Sequence, residues 1–222
     1  MADMDPLGLF PASKMAQAIR LGQSRFYSTE SAAAAPTSWN AADKSANAVI
    51  GGTGNLTASA SAGGNTGVRS TNPLSTGKVY FEIKINNTAS SGCSSGFAKG
   101  GVAPDQITGN AALGGAVVIW ANGNIAAPNP TGISLGAFAN TNVLCVAVDI
   151  DAKLVWFRKN AGIWNNSGTA NPATATGGIS TSTLPTPYYG FTGTANGTES
   201  STANFGATTF AQAIPSGFVA WG

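Results

Sequence analysis

The sequence predicts an all-β protein: an antiparallel β-sandwich with a short N-terminal helical arm. Two observations predict the sandwich. From Trp39 onward, short strand-like segments recur at regular spacing between turns rich in Gly, Asn, Ser and Pro, and no helical pattern of useful length interrupts them. In addition, residues 143–160 contain two apolar runs joined by a polar turn, which is typical of a β-hairpin from the middle of a sheet.

The hairpin pattern is informative because both of its faces are apolar. Residues 143–149, VLCVAVD, are apolar at both odd and even positions, so the strand is expected to lie between two other layers. Residues 153–159, KLVWFRK, supply the β-branched and aromatic residues that suit the second strand. Asp149 and Asp151 fall in or beside the turn, and we expect both to shape it through side-chain to backbone hydrogen bonds rather than to form a catalytic carboxylate pair.

The same pattern predicts the other strands of the body. They are expected at 48–50, 55–60, 66–70, 78–86, 95–102, 116–121, 143–149, 153–159, 188–193, 201–205 and 218–220. Within 78–86, Glu82 is either a buried carboxylate paired with Arg69 or Lys84, or a solvent-facing residue of an amphipathic strand. Of the adjacent residues Tyr188 and Tyr189, one is expected to line the core.

The charge content excludes several classes of function. Only 9% of the residues are charged, against about 25% in an average protein. The 11 basic and 9 acidic side chains are spread thinly, so the clustered positive charge that nucleic acid requires is missing and no nucleic-acid partner is expected. No apolar run approaches the roughly 18 to 20 residues that cross a bilayer, so no membrane insertion is expected.

Residue types that commonly act in catalysis or bind metals are also scarce. The chain has no histidine, which removes the commonest general base and a common metal ligand. We therefore expect no catalytic residues, no cofactor and no metal site. Cys93 and Cys145 are expected to be free thiols, with Cys145 filling core volume in its apolar strand.

Residues 1–35 differ in composition from residues 36–222, which form the predicted sandwich. Ser13 is a suitable N-cap for a short amphipathic helix at about 13–26, and residues 28–36 read as a linker. The apolar side chains expected to anchor this arm to a partner are Leu7, Leu9, Phe10, Met15, Ile19 and Phe26. A competing interpretation is a mitochondrial transit peptide, against which Asp3, Asp5 and Glu30 argue.

Four segments, in order along the chain, resemble one known family. They are TSWNAADKSANAVIGGTGNLTAS at the start of the body, VRSTNPLSTGKVYFEIKI at 68–85, the hairpin VAVDIDAKLVWFRKN, and the closing stretches PYYGFTG and TANFGATTFAQAIPSGFVAW. Together they resemble the SPRY domain, in particular its bacterial and phage branch, over residues 39–221. The chain departs from the family pattern after the hairpin, where Ala161 separates Asn160 from Gly162.

This resemblance implies a concanavalin-like sandwich that acts as a binding module rather than as an enzyme. SPRY domains are recognition scaffolds whose loops at one end of the sandwich contact protein or other ligands. Phage-branch members generally occur in virion structural proteins, including fibres. The resemblance therefore implies a protein of the virion that is made in the host cytoplasm. Each particle is expected to carry several copies of it.

Two loops are the candidate ligand-binding elements because each places an aromatic ring beside amide groups, which suits either a sugar or a protein surface. The loops are 120–132 and 163–172, and the residues expected to contact a ligand are Trp120, Asn122, Asn124, Trp164, Asn165 and Asn166. The alternative is that both tryptophans plug the ends of the sandwich while Asn and Gly satisfy turn geometry.

These observations lead to one main hypothesis and two alternatives. The main hypothesis is a non-enzymatic surface protein of a tailed phage or phage-like particle, whose arm binds other virion proteins and whose body binds a host-surface glycan or protein or another virion protein. The first alternative is a free-standing SPRY-type adaptor that binds a peptide. The second is a carbohydrate-active enzyme that uses Asp149 and Asp151.

Overall fold

The structure is a computed structural model that describes residues 35–88, 93–109 and 114–222. Within these residues the chain forms fourteen β-strands and one short α-helix, α1 (Pro104–Gly109). The strands are β1 (Trp39–Lys44), β2 (Ala48–Gly51), β3 (Thr57–Ala60), β4 (Thr66–Ser70), β5 (Lys78–Asn87), β6 (Ser94–Lys99), β7 (Ala116–Trp120), β8 (Ile125–Ala126), β9 (Val143–Asp149), β10 (Leu154–Lys159), β11 (Ile179–Ser180), β12 (Tyr188–Thr194), β13 (Ser200–Asn204) and β14 (Val219–Ala220).

The strands form two sheets, as the sequence predicts. Sheet A has the order β1-β4-β12-β6-β7-β8, and sheet B has the order β11-β10-β9-β5-β13-β3-β2. All these neighbours pair antiparallel. The short strand β14 pairs parallel with the first residues of β5, next to the part of β5 that β13 covers. The antiparallel β-sandwich is therefore confirmed.

Strands with a strong period-two pattern lie where the sequence predicts them. The segments predicted at 66–70 and 143–149 have these bounds in the structure as β4 and β9, and the other predicted strands are present with shifted ends. Four elements were not predicted: β1, β8, β11 and helix α1. Their sequences are short or rich in small and polar residues, so the local pattern is too weak to reveal them.

The main core lies between the two sheets and is centred on aromatic rings. Phe81 of β5 packs against Phe205 and Trp221, with ring centroids 5.5 and 5.0 Å apart. Trp39 meets Phe205 edge to face at 5.1 Å, and its indole N–H donates to the Leu56 carbonyl. These rings hold the first strand and the last residues of the body against the middle of sheet B.

The outer face of sheet A is covered by the segment around helix α1. Ile107 of the helix and Val102 pack against apolar side chains of the sheet that include Val118 and Phe191. Arg69 of β4 is buried beside them, where its guanidinium donates to the Val102 carbonyl. The same group donates 2.8 Å bonds to the carboxylate of Asp43 and to the carbonyl of Lys99. Arg69 thus fastens the segment that covers sheet A.

The outer face of sheet B is also covered. We call residues 206–218, which cross this face after β13, the C-terminal strap. Phe210 of the strap packs against Tyr80, with ring centroids 4.9 Å apart. Phe218 packs against Trp156, with ring centroids 6.4 Å apart. Strand β9 is therefore buried on both faces, which confirms the expectation from its two-sided apolar pattern.

Glu82 holds the strap on the sheet. It is buried, and its carboxylate accepts 2.8 Å bonds from the backbone N–H groups of Ala211 and Gln212 and a 2.7 Å bond from the Tyr80 hydroxyl. Neither of the expected partners, Arg69 and Lys84, pairs with it. Burial, reinforced by nearby Cys145 and then Glu82, raises the pKa of Tyr80, so the phenol stays protonated and donates.

Both cysteines are free and buried, as expected. Cys145 lies on the outer face of β9 beneath the strap rather than between the sheets. Burial and then nearby Glu199 raise the pKa of the Cys93 thiol to about 12, so this thiol is neutral at physiological pH.

The helix at 13–26 and the six apolar side chains assigned to anchoring lie outside the described residues. Among the described residues, no helix is long and apolar enough to span a membrane.

Replacing Glu82 by Ala tests how the strap is held. The substitution removes the acceptor for two backbone N–H groups, so we expect the free energy of unfolding to fall by about 2 kcal/mol in urea denaturation. Amide hydrogen exchange at Ala211 and Gln212 should accelerate beyond the change elsewhere. The control is Ser216→Ala, an exposed truncation on the same strap, which should change stability by less than about 0.5 kcal/mol. Equal effects of the two substitutions would contradict the assignment.

Candidate functional site

The two aspartates of the central hairpin have structural partners. Asp149 accepts a 2.9 Å bond from the backbone N–H of Ala152 and lies 3.1 Å from the ammonium of Lys78. Asp151 accepts from the backbone N–H of Gly77, in the turn before β5. The predicted role in shaping the hairpin turn is confirmed for Asp149. For Asp151 the prediction is wrong in its target, because this carboxylate binds the turn before β5 rather than its own turn.

The acidic side chains that the structure describes do not cluster. Across residues 35–88, 93–109 and 114–222, no group of three or more Cys, Asp or Glu side chains lies close enough to hold an ion. The carboxylates of Asp149, Asp151 and Glu82 each accept a hydrogen bond from a backbone N–H group. The candidate sites are therefore grooves between loops and sheets.

The first predicted loop follows β7 and doubles back on itself. The carbonyl of Gly123 accepts from the N–H of Leu135, and Phe138 donates to the carbonyl of Ala121. A Cβ added to Gly123 would lie 2.2 Å from the carbonyl oxygen of Gly136, so the two arms of the loop touch through the backbone. This close approach fixes the loop in one shape.

The predicted ligand contacts of this first loop differ in their surroundings. Trp120 ends β7 and is half-buried against the outer face of sheet A. The side chain of Asn122 is exposed and accepts from the backbone N–H of Asn124, which shapes the turn. Asn124 is exposed and pairs through its backbone with Ser134.

The second predicted loop, residues 163–172, lies within a longer connection, residues 160–178, that is built around Asn165. This side chain is 4% exposed, accepts from the N–H of Phe157, and donates to the carbonyls of Val155 and Gly177. Its amide is therefore committed to the loop framework rather than available to a ligand. The neighbouring Asn166 is exposed, and both asparagines have a positive φ near 50°.

Trp164 lies on the outer face of sheet B, half-buried in the layer that covers it. The guanidinium carbon of Arg158 lies 4.4 Å from the centre of its ring, and the same guanidinium donates to the Ala213 carbonyl of the strap. Ile163 and Ile214, next to these two contacts in sequence, are 55% and 38% exposed. Aromatic and arginine side chains beside exposed aliphatic ones are typical of protein interfaces.

The structure therefore separates the two tryptophans. Trp120 and Trp164 pack on opposite outer faces of the sandwich. A cleft of about 310 Å³, which we call the loop cleft, is lined by residues 129–133 at the end of the first predicted loop and by residues 177–180, which follow the predicted second loop in sequence. Asn129, Pro130 and Ser180 are exposed there. Residues 177–180 are not among the predicted contacts, because the sequence Gly-Gly-Ile-Ser contains no residue type that indicates ligand binding.

A second depression lies on the outer face of sheet B, beside the strap. This strap groove has a volume of about 540 Å³. It is bounded by residues 53–56 on one side and by 207–211 of the strap on the other. Its floor comes from β5, β9 and β13, including Lys84, Val143 and Thr202. No sequence motif indicated it, because the groove exists only where the strap crosses the sheet.

Comparison with known proteins supports the fold. No family model matches the sequence, and no curated protein matches it. Among solved structures, the crystal structure of the SPRY domain of human HERC1 is similar, with a TM-score of 0.59 at 11% sequence identity. The match covers 77% of this chain and 99% of that domain. The protein therefore has a SPRY-like fold.

Two neighbouring asparagines allow the role of Asn165 to be isolated. Asn165→Ala and Asn166→Ala both place alanine at a positive φ, so the backbone cost is similar. Only Asn165→Ala leaves the buried N–H of Phe157 without its acceptor, and we expect it to cost about 2 kcal/mol more than Asn166→Ala in chemical denaturation. Equal losses would contradict the framework role of this amide.

A pair of glycines tests the close approach inside the first loop. Gly123 and Gly101 both have a positive φ, 87° and 79°, but only Gly123 faces backbone within contact distance. We expect Gly101→Ala to destabilise the protein by about 1 kcal/mol and Gly123→Ala by about 3 kcal/mol, measured by thermal unfolding. If the two substitutions shift the midpoint equally, the loop does not depend on this contact.

Proposed function

We propose that this protein is a non-enzymatic binding protein of the virion surface, in a tailed phage or phage-like particle. In this proposal the arm at residues 1–35 anchors the chain to other virion proteins. The SPRY-like body then contacts a host-surface glycan or protein, or another virion protein. The arm and the body thus have separate tasks.

The observation that carries the proposal is the combination of committed carboxylates with an open loop cleft. Asp149, Asp151 and Glu82 all bind the backbone, which leaves the body suited to recognition rather than to acid–base chemistry. The cleft at 129–133 and 177–180 offers amide, hydroxyl and aliphatic groups on rigid loops. The phage-branch resemblance of the hairpin and closing segments supports the virion setting.

Weak binding by each body is sufficient in this setting. The two loops offer few charged groups, so a single contact is expected to be weak. Several copies on one particle would engage a surface together, and tethering raises the effective concentration of each further contact. The multimeric state in the particle is therefore part of the proposal.

The adaptor hypothesis remains the second candidate, because the SPRY-like fold is typically a protein-binding domain. The exposed patch around Trp164, with Arg158, Ile163 and Ile214, favours a protein partner for such an adaptor. It differs from the virion proposal in requiring no particle and no anchoring arm.

Purified particles distinguish the two candidates. We expect the full chain to copurify with particles from a host that carries its gene, detected by mass spectrometry and located by imaging at subunit resolution. Replacing the six apolar arm residues (Leu7, Leu9, Phe10, Met15, Ile19 and Phe26) by Ser should abolish incorporation, because the arm would lose its apolar contact surface.

The matched control replaces two polar arm residues, Gln17 and Gln23, by Ser, which should leave incorporation unchanged. Normal occupancy of the variant that lacks the apolar residues would refute the anchoring role. Absence of the chain from particles would refute the virion proposal and leave the adaptor.

A further inference from the structure

The strap groove differs from the loop cleft in its charge. Lys84 and Glu82 of β5 both line it. Glu82 is 3% exposed and accepts three hydrogen bonds, so its charge is already faced by donors. The side chain of Lys84 is exposed and forms no ion pair or hydrogen bond with any described residue. The accessible charge of the groove is therefore positive.

The remaining surface of the groove is apolar at its floor and carries hydroxyls at its rim. Leu56 and Val143 supply apolar side chains to the lining. Thr53 on one wall and Thr208 and Thr209 on the other are exposed, and their hydroxyls make no hydrogen bond within the described ranges. The groove thus combines one cation, an apolar floor and hydroxyl groups on both walls.

Four backbone groups of the strap beside the groove are already hydrogen-bonded. The carbonyls of Thr208 and Thr209 accept from the side-chain amide of Asn204, and the N–H groups of Ala211 and Gln212 donate to Glu82. An extended peptide that adds to a strand requires unpaired main-chain groups. A ligand recognised through its own hydroxyls needs only the threonine side chains, which favours a saccharide over a peptide.

We propose that the strap groove binds a saccharide unit that carries a carboxylate, such as a uronic acid. The carboxylate pairs with the ammonium of Lys84, the threonine hydroxyls bind ring hydroxyls, and the apolar face of the ring lies over Val143 and Leu56. The proposal deepens the proposed function, because it names a ligand class for a body that acts in surface recognition. It does not depend on the loop cleft or on the virion setting.

Titration of the full chain with glucuronate tests the proposal. At 22.1 kDa the chain suits amide NMR, and we expect millimolar glucuronate to shift the signals of Thr53, Thr208 and Ala211. Glucose, which lacks the carboxylate, should bind at least about tenfold more weakly, because a charge-assisted hydrogen bond is lost.

Variants at the groove separate charge from shape. Lys84→Gln should weaken glucuronate binding about tenfold, whereas Lys84→Arg should retain most of it. Lys99→Gln is the matched control, because Lys99 lies on sheet A, outside the groove, and its ammonium forms no ion pair with the described residues. Thr208→Val, which removes a hydroxyl with little change of shape, should weaken binding severalfold. Unchanged thermal midpoints would show that each variant is folded.

Four results would overturn the proposal. The first is that glucuronate shifts no groove signals, and the second is that Lys84→Gln leaves the affinity for glucuronate unchanged. The third is that acetate reproduces the same shifts with the same affinity, which would reduce the site to a carboxylate contact. The fourth is that an acidic peptide binds the groove more tightly than glucuronate. Each result leaves particle incorporation, the test of the virion proposal, unaffected.

Discussion

The need to cover both faces of sheet B governs the rest of this structure. Strand β9 is apolar on both sides, and neither side can remain in water without losing much of the free energy that burial provides. Sheet A covers one side. The other is covered by the C-terminal strap and by the loop that carries Trp164, which add a third layer to the sandwich. The fold is therefore closed by segments without regular secondary structure.

Irregular segments need polar attachment because their backbone groups are not paired in a sheet. Glu82 supplies an acceptor for two N–H groups of the strap, and Arg158 supplies a donor to the carbonyl of Ala213. Asn165 performs the same task for the second loop. The few charged and amide side chains on this face thus hold the covering layer in place.

The covering layer also creates the two candidate binding surfaces. The loop cleft forms where residues 129–133 approach 177–180, and the strap groove forms where the strap crosses the outer face of the sheet. In the groove, the carboxylate of Glu82 is hydrogen-bonded to the backbone of the strap, whereas the ammonium of Lys84 remains accessible. The same interaction that closes the fold therefore decides which charge a ligand meets.

The sequence by itself determined the sandwich, the bounds of β4 and β9, the burial of both faces of β9, and the turn-forming role of Asp149. Each of these features follows from residues that are close in sequence, because the alternation of apolar side chains predicts strands and Asp, Asn and Gly predict turns. Only the tertiary structure decided the partners of Glu82, the commitment of Asn165 and the separation of Trp120 from Trp164. Those outcomes depend on which distant segments cover each sheet, because residues 129 and 180, or 84 and 208, become neighbours only when the chain packs.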